Sequence, residues 1–144
     1  MRLLCSAALL VLVAGCHDSS APRELTGTYP LHTYRDMSLP AVVRDDANGR
    51  VEIVSGTITL NGGLSFTDSY TFNSYNTTGV LTTTVIACSG TWTPTETSPQ
   101  GGQLMTLVEV ALPAGCGDRG VAEWDHNDKL TIAWNVLGLA QHRR

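Results

Sequence analysis

The chain of 144 residues is poor in charge, and poorest in cations. Charged residues are 15% of it, with Lys+Arg at 9 against Asp+Glu at 13 and a formal charge of −4. Without a basic run, binding to nucleic acid is not expected, because neutralising phosphates takes clustered Lys and Arg. A glycine-rich phosphate loop and a dinucleotide fingerprint are both lacking, so nucleotide chemistry has no foothold. Ser55 and Ser89 precede glycines, but neither lies in a Gly-x-Ser-x-Gly elbow, and no hydrolase order of Ser, His and Asp is suggested. Helical periodicity is missing too: no stretch reads as a convincing amphipathic helix. These absences leave no catalytic constellation and call for no cofactor, so a non-enzymatic protein is expected.

What is present begins at the N-terminus. Met1-Arg2 is followed by the apolar run Leu3 to Val13. One positive charge and a short apolar stretch suit a secretory signal. A permanent membrane helix needs roughly 20 apolar residues. The run ends in Val13-Ala14-Gly15-Cys16, which resembles the lipobox of bacterial lipoproteins. That resemblance implies cleavage before Cys16 and a diacylglyceryl thioether on its sulfur, a bond only a thiol can form. Each buried methylene contributes about 0.8 kcal/mol, and two or three acyl chains, palmitate among them, make a lasting anchor. An ordinary secreted protein with Cys16 in a disulfide is the alternative. His17 in place of Asp favours the outer membrane over the inner where the envelope has two.

The expected organisation is therefore a signal peptide over 1–15, a lipidated N-terminus and tether over 16–26, and one domain over 27–144. Loss of Arg2, the one charge in the leader, takes the formal charge from −4 to −5. The tether spans at most about 35 Å when extended, so the domain stays near the bilayer. Cys5 leaves with the signal and Cys16 takes lipid. Cys88 and Cys116 remain, and in an oxidising envelope they are read as one disulfide. A reactive Cys88 thiol would need an activating His or helix N-terminus, and none is evident nearby.

From Gly27 onward the apolar period is two. Leu64, Phe66, Tyr70 and Phe72 share one parity, with Asp68 interrupting. Leu104, Val108, Val110 and Leu112 share another around Thr106, and Leu130, Ile132, Trp134 and Val136 form the cleanest face. Turn residues separate these runs. The pattern predicts seven or eight antiparallel strands at about 27–34, 51–61, 64–75, 79–93, 103–112, 120–126, 129–136 and 139–143, with a bulge at Ser55-Gly56. The fold class is all-β, most economically an up-and-down meander barrel, which removes exposed strand edges. A two-sheet β-sandwich is the alternative.

Gly27-Thr28-Tyr29, Leu39-Pro40, the run Ser55 to Leu60 and Gly90-Thr91-Trp92, with Arg143-Arg144 at the end, resemble small bacterial lipocalin-like lipoproteins. The resemblance implies a calycin-type barrel in which Tyr29 stands for the aromatic of the first strand and a terminal arginine for its basic partner.

Candidate sites have plainer readings beside them. Asp125-His126-Asn127-Asp128-Lys129 offers metal-ligand types, but strand neighbours point to opposite faces and the segment reads as a hairpin tip. Asp45-Asp46-Ala47-Asn48-Gly49 lacks the alternating ligands of a calcium loop and reads as solvated. His32, His126 and His142 have no zinc-like spacing, so no metal is expected. Asn76-Thr77-Thr78 matches a glycosylation sequon but reads as a turn. Trp92, Trp124, Trp134, Tyr29, Tyr70, Phe66 and Phe72 are expected to line one interior, either as core packing or around one small ligand.

Two functions follow as expectations. One is an envelope lipoprotein that binds a small apolar molecule. The other is a protein–protein module, such as an inhibitor of lysozyme or proteases, inserting segment 94–102 or the loop 113–120 into an enzyme cleft. An open apolar pocket favours the first; a filled barrel with rigid loops favours the second.

Overall fold

The computed structural model describes residues 25–97, 99, 101–110, 114–125, 127–135 and 139–143; Cys16 and the leader lie outside them. The period-two segments form ten strands, and the described residues contain no helix. They are β1 (Gly27–Tyr34), β2 (Met37–Ser38), β3 (Ala41–Asp46), β4 (Gly49–Leu60), β5 (Ser65–Tyr75), β6 (Leu81–Thr97), β7 (Gln103–Glu109), β8 (Arg119–Trp124), β9 (Lys129–Trp134) and β10 (Leu139–Arg143). Each strand from β4 to β10 pairs antiparallel with the next. β10 then pairs with β1, and β1 with β4. Eight strands thus close an up-and-down barrel rather than a sandwich, while β2 and β3 are additions beside β1 and β4.

Neither addition carries a strong signal in the sequence. β1 turns into β2 through Arg35-Asp36, both with positive φ (48° and 61°). That is the geometry of a tight two-residue hairpin, usually announced by Asn-Gly rather than by these side chains. The segment read as a solvated loop, Asp45 to Gly49, is the tip of the β3–β4 hairpin. Gly49 is required there, since a Cβ would sit 2.1 Å from the Tyr75 carbonyl oxygen. The expected bulge in β4 is present one residue earlier: the register slips between Ile53 and Ser55, leaving Val54 unpaired. Gly56 instead admits the Tyr70 ring, 2.4 Å from where its Cβ would stand.

The strands give the barrel two unlike ends. At the lower end the chain enters β1, and the β4–β5, β6–β7 and β8–β9 connections lie there. This half is filled. Leu25, Leu60, Phe66, Trp92, Met105 and Leu130 are wholly buried in it. Two polar tips are satisfied as they are buried: Tyr29 donates its hydroxyl hydrogen to the Leu25 carbonyl at 2.8 Å, and Trp92 Nε1–H donates to the Ser65 carbonyl at 3.2 Å. All seven aromatics face the interior as expected, Phe72 being half-buried.

One facing expectation is corrected. In β7 the inward residues are Met105 and Leu107, both wholly buried; Leu104 and Val108 are half-buried and Val110 is exposed. Leu112 lies outside the described residues. The neighbours decide the facing: Leu107 lies across from Trp92 on β6 and from Gly120 on β8, and Met105 across from Ala122. Small residues on β8 make room for the larger ones of β7, as tight core packing demands. The same facing carries Glu109 inward.

The expectation that a terminal arginine partners Tyr29 falls partly outside the described residues. Arg143 is exposed, and Arg144 lies outside the described residues. The inward side chain of β10 is His142, which hydrogen-bonds the Tyr29 carbonyl at 3.0 Å. Alternation places Arg143 on the opposite face from its neighbour.

Candidate functional site

The upper half of the barrel is not filled. A cavity of about 440 Å³ opens there, within the ordinary range of small-molecule sites, roughly 300–1,000 Å³. Val43 of β3, Tyr70 and Phe72 of β5, Ile86 of β6 and Trp134 of β9 supply its apolar walls. Its remaining side is the β7–β8 loop, residues 115–118, with Glu109 at the loop's root and Cys88 beneath.

That loop is held twice. Cys88 and Cys116 form the expected disulfide, with Cα atoms 5.6 Å apart and a sequence separation of 28. Glu109 Oε2 accepts the backbone N–H groups of Gly117 and Asp118 at 2.8 and 2.9 Å. Gly115 and Gly117 carry positive φ (96° and 104°), which glycine tolerates and other residues rarely adopt. Gly115 also brings the backbone against Ile86, 3.1 Å from its ideal Cβ position. The cysteine sulfurs and Glu109 lie close together, but sulfurs bonded to each other have no thiolate to offer a metal.

Beneath the cavity lies the feature that the sequence marked only as an interruption. Asp68 sits on the inward face of β5 between Phe66 and Tyr70, opposite Cys88, and is 3% exposed. No hydrogen-bond donor of good geometry reaches either carboxylate oxygen. The amides of Asp68 and Cys88 lie near enough to favour its charge weakly, but burial and the neighbouring Glu109 carboxyl dominate. Together they push the Asp68 carboxyl up to about 7. The contact between the two acids becomes a hydrogen bond only when one holds a proton. That proton belongs on Asp68, which has no donors, while Glu109 has two.

A second polar chain crosses the interior above Asp68. The Tyr29 carbonyl can only accept, so His142 Nδ1 carries the hydrogen in the 3.0 Å bond to it. Nε2 is then the bare acceptor, facing the Tyr70 hydroxyl at 3.4 Å. Trp134 Nε1–H donates in turn to the Tyr70 oxygen at 3.2 Å. Every hydrogen has one direction in this chain. Burial pulls the His142 imidazole down to about 4, so it stays neutral. Burial, then the nearby Asp68 charge, raise the Tyr70 hydroxyl well above its usual range.

The other candidate residues are not brought together. His32 points outward from β1 and is exposed, whereas His142 is wholly buried; His126 lies outside the described residues. Ser55 and Ser89 are both exposed. Asp125 Oδ1 accepts the N–H groups of Asn127 and Lys129, and Asp128 has φ of 59°, so this polar cluster is a self-bonded hairpin tip. Asn76 Oδ1 likewise accepts from Thr78 and Val80 at the β5–β6 turn.

Asp68 and Glu109 were the residues that sequence reasoning missed. A charged residue at an inward strand position was the available signal for Asp68, since buried carboxylates are rare without a partner. Glu109 was hidden by the reversed facing of β7. Comparison of the chain with protein-family models, with curated proteins and with solved structures gives no match, so the closed barrel and its mouth stand on geometry alone.

Proposed function

We propose that this protein is a lipid-anchored envelope lipoprotein whose barrel binds a small apolar molecule at its mouth, without catalysing a reaction. The 440 Å³ cavity with aromatic and aliphatic walls carries the reading. A barrel that only needed a core would be filled at both ends, as this one is at its lower end. The anchor on Cys16 fits the same geometry. The chain enters β1 at the filled end, so a tether from there leaves the mouth directed away from the lipid surface. In an envelope with two membranes, the outer one is the expected site.

Native mass spectrometry of the protein released from its own envelope tests this. The expected result is a bound small molecule that dissociates on activation. A protein free of adducts that also fails to bind neutral hydrophobic probes overturns the reading. The inhibitor reading retains one supporting observation, the loop at 115–118 held by both a disulfide and Glu109. A pull-down from envelope extract that is lost when this loop is replaced would favour it instead.

A further inference from the structure

The ligand's chemistry is constrained by what surrounds the cavity. Glu109 and Asp118 both line it, and among the described residues no Lys, Arg or His does. Asp68 lies just beneath: its neighbour across the sheet (Cys88), its neighbour along the strand (Tyr70) and the acid beside it (Glu109) are all cavity-lining residues. An acid this buried with both oxygens lacking donors is an acceptor in want of a donor, and such a group costs free energy until one arrives. The walls add a second preference. Tyr70, Phe72 and Trp134 present aromatic rings, whose faces attract cations and not anions.

We infer that the cavity selects small amphiphiles with a protonated amine, seating the ammonium between Asp68 and Glu109 and the apolar body against Phe72 and Trp134. This rests on the ligand-binding reading above and narrows it. An ammonium carries three donors, enough to serve oxygens of both acids at once. On binding, the cation takes the place of the proton that Asp68 otherwise holds, so one positive charge enters as one proton leaves to solvent. A carboxylate ligand would instead face three acids and, among the described residues lining the cavity, no Lys, Arg or His. A neutral alcohol would gain the apolar contacts but only one donor.

The groups around Asp68 and the cavity above it set the pH dependence. They are Glu109 from β7, Asp118 from the adjoining loop, the Cys88–Cys116 disulfide, and Tyr70 with neutral His142 behind it. No cation among the described residues competes for the site. Amine affinity therefore rises as the pH rises through about 7, where Asp68 loses its proton.

The test uses the mature lipoprotein in phosphatidylcholine nanodiscs, with empty nanodiscs subtracted, and three ligands of one shape: phenethylamine, 2-phenylethanol and phenylacetate. Calorimetry at pH 8 is expected to give phenethylamine at least tenfold tighter binding than the alcohol, and phenylacetate the weakest. At pH 5.5 the amine's advantage shrinks. Asp68→Asn, nearly isosteric, removes most of that advantage, because the amine loses an ionic partner where the alcohol loses at most one neutral hydrogen bond. If the alcohol or phenylacetate binds as well as the amine, the inference fails and the apolar-ligand reading survives. If none of the three binds, both fall. If Asp68→Asn weakens all three alike with an altered near-ultraviolet spectrum, Asp68 shapes the fold and the inference is overturned.

Discussion

Replacing Asp68 with Asn is expected to stabilise this protein, and to do so only on the alkaline side of its unfolded-state titration. The Asp68 carboxyl is raised from 3.8 to about 7 in the fold by burial and by Glu109. Below pH 4 both folded and unfolded chains hold the proton, and the acid carries no penalty. Between about 4 and 7 the unfolded chain gives up the proton while the folded chain keeps it, so stability falls as pH rises. Above 7 the whole penalty is present. At about 1.4 kcal/mol per pH unit, some three units give a ceiling of about 4 kcal/mol. Relaxation of Asp68 toward the mouth brings the realised value nearer 2–3 kcal/mol, on the order found for buried unpaired groups. For a barrel of this size each kcal/mol moves Tm by roughly 4 °C, so the variant should melt about 10 °C higher at pH 8. Differential scanning calorimetry at pH 4, 5.5 and 8 reads this directly. The variant and the parent should coincide at pH 4 and diverge steadily upward. A Tm difference that is constant across the range refutes the reasoning, as does a variant less stable at pH 8.

Two further outcomes follow from the same interior. His142 is lowered from 6.5 to about 4, so its neutral form stabilises the fold above pH 6.5, and that contribution is lost as pH falls through 4, about 3 kcal/mol in all. In the parent this rise with pH opposes the Asp68 fall between pH 4 and 6.5, and only Asp68→Asn should unmask it; nitrogen NMR at pH 6 should show Nδ1 protonated and Nε2 bare. Cys88→Ser opens the 28-residue loop and should cost about 3–4 kcal/mol of stability by the loop-entropy relation, measured as a lower midpoint in urea; an unchanged midpoint refutes the structural role of the disulfide.

Much of the barrel was legible because its strands follow one rule. Where the inward positions are large and the outward ones polar, as in Leu130, Ile132 and Trp134 of β9, alternation reads the facing correctly. β7 failed because both faces are apolar: Leu104, Val108 and Val110 outnumber Met105 and Leu107, and only the small residues across the sheet decide between them. That decision is tertiary and no window of sequence contains it. β2 and β3 were missed because their hairpins turn on backbone geometry at Arg35-Asp36 and on one close approach at Gly49. The disulfide was legible by elimination among four cysteines. The candidate site was only half so: its aromatic walls were foreseen, but its acid pair joins one residue treated as an interruption to another, Glu109, that the parity reading of β7 did not single out.

The two acids are not interchangeable probes of that site. Glu109 Oε2 receives both backbone N–H groups of the loop, and Oε1 receives neither. One carboxylate therefore holds the cavity wall through one oxygen and supplies negative charge with the other. Changing Glu109 to Gln would weaken the clamp and remove the charge together, so a loss of binding would have two causes. Asp68 holds no loop and accepts no bond of good geometry. Its replacement by Asn alters the charge beneath the cavity while leaving the Glu109 clamp and the disulfide in place. The opposite signs expected of that one substitution, a gain in stability at pH 8 with a loss of amine preference, cannot both come from damage to the fold. A residue expected to lower stability at pH 8, buried beneath the cavity at the barrel's upper end, is what a binding acid would be and what a packing residue would not.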